Sequence, residues 1–253
     1  NPTILLPNKH FDTLLYTGAG SEQEVNGLSF QPDFVWLKER TGSGTSHGLF
    51  DSVRGRASGL ASNQTNSEYT SSASNDLVSF DSDGFTVGGF QNFYTNRSGG
   101  YNYVAWNWNA GGSTVTNNDG SISSQVRANS NAGVSVVSYT GTGSTATVGH
   151  GLGVAPDVII IKNRDSAQNW IYWQASMGDN NLILNSTQAQ FSASGNNTMT
   201  VADFSSTVFK VVNASQTNST DDFIAYCFSE VAGYSKFGSY TGNGSSDGTF
   251  VFT

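Results

Sequence analysis

The sequence predicts an all-β chain of two tandem antiparallel β-sandwiches of jelly-roll type, followed by the truncated start of a third repeat. Three observations carry this. One phrase occurs three times, as Tyr16-Thr17-Gly18-Ala19-Gly20, Tyr139-Thr140-Gly141-Thr142-Gly143 and Tyr240-Thr241-Gly242-Asn243-Gly244. Behind the first two stands a second phrase, Gln31-Pro32-Asp33-Phe34-Val35-Trp36-Leu37-Lys38-Glu39-Arg40 and Ala155-Pro156-Asp157-Val158-Ile159-Ile160-Ile161-Lys162-Asn163-Arg164, at the same spacing to within one residue. A repeat this long is a copied domain, not a solenoid unit of a few dozen residues. Helical periodicity is almost absent, while short apolar or alternating runs bounded by Gly, Asn, Asp and Ser recur throughout. Finally, 253 residues divide into two units of ordinary sandwich size.

In the first unit, strands are expected at 11–16, 25–30, 34–38, 47–51, 60–62, 77–80, 85–87 and 101–107. Asp81-Ser82-Asp83-Gly84 reads as a tight turn between two of them, with Gly84 supplying a positive φ. The second unit offers strands at 135–139, 158–162, 170–173, 182–184, 198–201, 208–212 and 223–228. Pro32 and Pro156 each precede a buried-looking strand, where the missing N–H costs little. Residues 1–112 therefore form the first sandwich, 113–132 a Gly-, Ser- and Asn-rich linker, and 133–253 the second sandwich. Within the last, 240–253 begins a third repeat. The chain is expected to be a segment of a longer array, or one in which Phe250 and Phe252 pair with the second sandwich and complete it.

Composition bounds the function. Charged residues make up only 12%, against roughly 25% in an average soluble protein. Ser, Thr, Asn and 29 glycines take their place, and 12% aromatics argue for a folded chain rather than a disordered one. A net charge of −8, a pI near 4.6 and scattered basic residues speak against nucleic acid. Cys227 is the only cysteine and lies in an apolar run, so it reads as a small buried thiol and no intrachain disulfide is possible. No stretch approaches the roughly 20 apolar residues of a membrane helix. No signal peptide is visible, and because the chain begins at Asn1 rather than Met, an upstream targeting segment is left open.

Most catalytic motifs fail on inspection. His10, His47 and His150 are distant from one another and from Cys227, so no zinc-type site is expected. The Gly-x-Gly phrases lack the third glycine of a dinucleotide loop, Gln23 and Ala146 standing in its place. Gly244-Ser245-Ser246-Asp247-Gly248 matches a nucleophile elbow only by letter, in a Ser/Gly turn. Glu22 and Glu24 have strand spacing, as paired glycosidase carboxyls would, but the matching stretch 144–147 has no acid. Asp81 with Asp83, or Asp221 with Asp222, supply too few oxygens for a full calcium loop. No cofactor and no metal are expected. Asn-x-Ser/Thr triplets, among them those at Asn63, Asn96, Asn185, Asn196, Asn213 and Asn218, read as chance in a chain of this composition.

Aromatic residues are the stronger signal. Tyr101, Tyr103, Trp106 and Trp108 fall in one segment, Trp106 and Trp108 share a strand face, and Trp36, Trp170 and Trp173 lie on other strands. Tyr101, Tyr103, Trp106, Trp108 and Trp173 are the candidate carbohydrate-binding residues, with ordinary core packing as the competing reading. Ile160 replaces Trp36 in the second unit, as a core position tolerates.

These phrases resemble a repeat family in tail-fibre and other structural proteins of marine bacteriophages. Its first type is similar to Tyr16-Thr-Gly, Phe30-Gln-Pro-Asp-Phe-Val-Trp-Leu-Lys38, Phe50-Asp-Ser-Val-Arg-Gly55, Ser79-Phe-Asp-Ser-Asp-Gly-Phe85 and Tyr103-Val-Ala-Trp106. A second type resembles His150-Gly-Leu-Gly, Ala155-Pro-Asp157, Phe223-Ile-Ala-Tyr-Cys-Phe228 and Gly233-Tyr-Ser-Lys-Phe-Gly-Ser-Tyr-Thr-Gly-Asn-Gly244. The resemblance implies a concanavalin-A-like or SPRY-like sandwich, a place on a virion surface, and no catalytic residues. It leads to the expectation of a non-enzymatic tail fibre, spike or appendage. Host-surface glycan and other virion proteins are the expected partners, with homo-oligomerisation as a trimer and no membrane insertion. A capsid decoration or head fibre, or a jelly-roll polysaccharide-degrading enzyme, is the alternative.

Overall fold

A computed structural model describes residues 3–42, 44–72, 74–89, 95–193 and 204–250. Among these there is no α-helix, and every paired strand is antiparallel to its neighbour. The first half carries β1 (Phe11–Thr17), β2 (Gln23–Asn26), β3 (Phe34–Glu39), β4 (Gly48–Asp51), β5 (Ser58–Gly59), β6 (Tyr69–Thr70), β7 (Leu77–Asp81), β8 (Gly84–Val87) and β9 (Asn102–Trp108). The rest holds β10 (Val115–Asn117), β11 (Ser124–Asn129), β12 (Val134–Thr140), β13 (Ala146–Gly149) and β14 (Val158–Asn163). It continues through β15 (Ile171–Gln174), β16 (Asn180–Ile183), β17 (Phe191–Ser192), β18 (Val208–Val211) and β19 (Asp222–Phe228).

Two large sheets dominate, a four-stranded one in the order β1-β9-β3-β4 and an eight-stranded one in the order β10-β11-β12-β19-β14-β15-β16-β17. The expected strand at 198–201 lies outside the described residues. The expected linker is corrected: 113–132 supplies β10 and β11, which extend the eight-stranded sheet beside β12. Its polar composition reads as a loop, yet Ser124 and Val126 alternate inward, and an edge hairpin tolerates polar residues on its other face. Residues 239–250 contribute no strand, and Tyr240 and Phe250 are 70% and 85% exposed, so Phe250 does not complete the sheet; Phe252 lies outside the described residues. Gly84 does not have a positive φ. Its value is the missing Cβ, which would strike the Val25 carbonyl across the β2–β8 pairing.

Both large sheets contribute buried residues from both faces, which is unusual for antiparallel sheets. Along β3, Val35 and Leu37 point into a core shared with Val25, Phe85 and Val87 of the β2-β8-β7 sheet. Along β14 and β19, Ile159, Ile161, Phe223, Ala225 and Cys227 point into a core shared with Val148, Phe209 and Val211 of the β13-β18 pair. The alternate residues, Phe34 and Leu49 from one sheet and Val136, Ile160, Ile224 and Tyr226 from the other, meet in a third core. There the Phe34 and Tyr226 rings stack at 4.2 Å, and the Trp170 indole N–H donates to the Ala61 carbonyl at 2.9 Å.

The Tyr-Thr-Gly phrase acts as a clamp on a distant loop. Tyr16 Oη donates to Thr95 O at 2.6 Å, and Tyr139 Oη to Thr217 O at the same distance. Asn96 Oδ1 accepts from Ala19 N–H at 2.7 Å and Asn218 Oδ1 from Thr142 N–H at 2.8 Å, while each amide donates back, to Ser21 O and Ser144 O respectively. A Cβ on Gly18 would collide with Arg97 O, and one on Gly141 with Ser219 O, so the phrase needs glycine for close approach. In the third copy, a Cβ on Gly242 or Gly244 would meet nothing. Asn96 and Asn218 are fully buried, and replacing either by Ala removes its hydrogen bonds to both sides of the clamp. Each substitution is expected to cost about 1–3 kcal/mol of unfolding free energy, read by urea denaturation, while Asn63→Ala is expected to change it by less than about 1 kcal/mol.

Candidate functional site

At the β4 side of the third core lies a buried ionic chain built on the Phe50-Asp-Ser-Val-Arg-Gly55 phrase. Asp51 ends β4, and its Oδ1 accepts from the N–H groups of Val53 and Arg54, holding the turn that returns the Arg54 side chain inward. Arg54 Nε donates to Asp51 Oδ2 at 2.6 Å, Nη1 to Glu68 Oε2 at 2.8 Å, and Nη2 to Leu49 O and Tyr226 Oη, each at 3.1 Å. Arg164, from the other half, grips Glu68 with two bonds of 2.9 and 2.7 Å. Burial works against the charge on Arg54, but Asp51, Tyr226 and Glu68 outweigh it and hold the guanidinium firmly protonated. Burial likewise pushes Glu68 up, and the two arginines more than offset this, keeping the carboxyl below its ordinary range. Two carboxylates and two guanidinium groups balance in charge. Such a cluster is suited to structure rather than to proton transfer, which needs a group poised near neutrality.

The sequence-predicted candidates fall in different places. Tyr103 is buried, stacked on Tyr16 at 4.9 Å, and Trp173 is buried, stacked on Phe204 with its N–H donating to Gly178 O at 3.0 Å. Neither ring is offered to a ligand, because alternation turns both into cores. Tyr101 is partly exposed, but the Arg97 guanidinium covers its ring at 4.0 Å and donates to its hydroxyl. Trp106 and Trp108 do share one face of β9. Trp108 is wedged among Phe34, Phe11 and Phe228 at 4.8, 5.0 and 6.1 Å, whereas Trp106 meets Trp36 edge-on at 6.3 Å.

Trp36 and Trp108 border a cleft of about 330 Å³ between the two large sheets, and Trp106 stands behind Trp36 outside its lining. Phe11, Trp36 and Trp108 line one wall, Val158, Ile160, Tyr172 and Phe228 the other, and Tyr234 and Phe237 close one end. None of the lining residues is charged. Beyond its mouth, Trp36 donates its indole N–H to His47 Nδ1 at 2.8 Å, which assigns His47 the neutral tautomer with its proton on Nε2. Burial, and then the neighbouring Lys38, keep that imidazole below its ordinary range and so uncharged. Sequence reasoning missed Phe11, Trp36, His47, Tyr172 and Phe237. The available signal was that Trp36 alternates with Leu37, which puts it on the face opposite the first core. Ile160, its counterpart in the repeat, lies across the cleft from it.

The remaining reactive groups have partners. Cys227 is buried, and burial pushes its thiol up to about 12. His150 is buried and neutral, accepting from Leu152 N–H and set against Ser205 O. Asp221 is held below its ordinary range by hydrogen bonds from Asn163, Ser166 and Ser219. Among the described residues no group of three or more His, Cys, Asp or Glu converges.

Two expectations follow for the buried charges. Arg54→Ala leaves Asp51 without its cation and is expected to cost about 3–5 kcal/mol, while Arg164→Ala, which leaves Glu68 paired with Arg54, is expected to cost less; urea melts of both variants check the order. Lys162 is fully buried with its ammonium on two backbone carbonyls, and burial lowers its pKa to about 8 from the ordinary 10.5. Between these values the unfolded chain binds more protons than the folded one, so this group makes stability rise with pH across that window and adds no slope below it. Lys162→Met is expected to abolish the rise, measured by denaturation at pH 7.5, about 9 and about 10.

No curated protein and no solved structure matches the chain. One family model spans residues 6–253, and on that match the chain belongs to the family described as a domain of unknown function, DUF7483.

Proposed function

We propose that the chain is a non-enzymatic adhesion module of a virion appendage (a tail fibre or spike) that receives a host-surface glycan at the tryptophan-bordered cleft. The observation that carries this reading is the grouping of Trp36, Trp106 and Trp108 on one sheet face, where Trp36 and Trp108 line an open cavity of about 330 Å³ and Trp106 abuts Trp36. Rings of this kind stack on the C–H faces of sugars, with partial exposure leaving room for contact. The absence of any carboxylate among the lining residues favours binding over hydrolysis, which needs two. Glu22 and Glu24 are exposed beside or in β2, on the far side of the first core from the cleft.

The same reading takes the chain as two copies of one jelly-roll, concanavalin-A-like unit. The order β1-β9-β3-β4 recurs as β12-β19-β14-β15, and the clamp bonds recur with it. Placement on the virion surface and assembly as a homotrimer belong to this proposal and rest on the phage-repeat resemblance. An apolar cleft also suits the side chains of a neighbouring virion subunit, the assembly version of the same role.

Glycan-array binding of the intact chain tests the proposal. Trp106→Ala is expected to weaken binding about ten-fold, equivalent to about 1.4 kcal/mol, with the thermal melt little changed. An array without a single bound glycan, together with stable incorporation into particles, would favour the assembly version.

A further inference from the structure

We infer that the rim of the cleft selects acidic glycans, those bearing uronate or sulfate groups, through Lys38 and His47. This rests on the glycan-adhesion reading and narrows its ligand class. The rim continues along the face of the four-stranded sheet that carries Phe34 and Trp36, past the edge of the third core. Trp36 lies opposite Trp106, and Lys38, two residues along β3, lies opposite Val104. His47 sits against Trp36 and within electrostatic reach of Lys38.

What distinguishes this row is the direction of its hydrogen bonds. Because His47 Nδ1 accepts from Trp36, the imidazole must present Nε2 as a donor. Lys38 Nζ gives two bonds to Thr45, to its carbonyl at 2.8 Å and its hydroxyl at 3.1 Å, which fix the ammonium in place and leave one N–H. The Trp106 indole is a donor only. The carboxylates nearest in sequence are engaged elsewhere: Glu39 faces the first core, with Arg97 at 3.4 Å, and Asp51 is bound by Arg54. In a chain of net charge −8, Lys38 therefore stands at an aromatic rim with no carboxylate on it among the described residues.

A row of rings and positioned donors is complementary to a sugar ring carrying an acceptor-only group. A neutral hydroxyl both donates and accepts, and the three donors named here use only its accepting half. A carboxylate or sulfate uses the donors fully and adds a charge-assisted bond to a positioned ammonium, roughly twice as strong as a neutral one. Burial of the Lys38 stem along the sheet places that charge at the rim rather than free in solvent.

The test is calorimetric titration of the intact chain with oligogalacturonate and with a malto-oligosaccharide of equal length, at low and high salt. The acidic oligomer is expected to bind at least ten-fold more tightly at low salt, and to lose most of that advantage at high salt. Lys38→Met is expected to remove the preference, and Lys38→Arg, which keeps the charge, to retain most of it. A Lys38→Met melt checks that the Thr45 loop has not unfolded; if it has, Lys38→Arg and the salt series decide. Equal, salt-independent binding of both oligomers would overturn the acidic class and leave the adhesion reading intact. Failure of both oligomers and of every arrayed glycan to bind would overturn both.

Discussion

Arg54 carries a charge that a protein interior cannot remove, since a guanidinium does not surrender its proton. Enclosing it therefore obliges the fold to bring carboxylates and hydrogen-bond acceptors to it. The first half supplies Asp51, Glu68 and the Leu49 carbonyl; the second supplies Tyr226 and the Arg164 fork that holds Glu68 in place. Neither half satisfies the set by itself. The third core forms around this requirement, with Phe34 stacked on Tyr226 and Trp170 bonded to Ala61. Along the row Phe11, Trp108, Phe34, Asp51 one end enters the ionic chain and the other borders the cleft. The same register thus fixes the seam and shapes the cavity.

Two sheets buried on both faces demand strands that are apolar on both faces. β14 and β19 meet this demand: all six residues of β14 are buried, as are the five central residues of β19. The cost is that polar residues caught in those strands must be satisfied internally. Lys162 does so with backbone carbonyls, and Asn163 bonds Ser215 O and Asp221. A surface of Ser, Thr and Asn, rather than of Lys and Glu, then keeps the exterior hydrated with few charges to desolvate.

Much of the fold was legible because period-two alternation and Gly/Asn punctuation are local signals. Strands β1, β3, β9, β12, β14 and β19 lie close to where alternation puts them. The hairpin at 113–132 was hidden by its composition, since an edge strand can be polar on its open face and still pair. The third core was hidden for a different reason. Alternation says that Phe34 and Trp36 share a face, but not that a second sheet lies on it. Only Ile160 and Val158, apolar in a strand already apolar on its other face, hinted at a second covering layer. For the candidate site, the pairing of Trp106 with Trp108 was readable from spacing, while the partners that make a rim, His47 and Lys38, depend on strand order. Tyr103 and Trp173 misled because an aromatic ring gives the same letter whether it faces a ligand or a core.

The clamp asparagines also bear on how this chain can be made. Asn96-Arg97-Ser98 and Asn218-Ser219-Thr220 are acceptor triplets for N-linked oligosaccharide, and both asparagines end fully buried with their amides committed to backbone partners. In a eukaryotic secretory pathway the transferase meets the chain before the clamps close. A sugar attached there occupies the amide nitrogen and is too bulky to enter the fold. Production in such a host sets glycan transfer in competition with folding at two positions, a conflict that a bacterial cytoplasm without that transferase never poses.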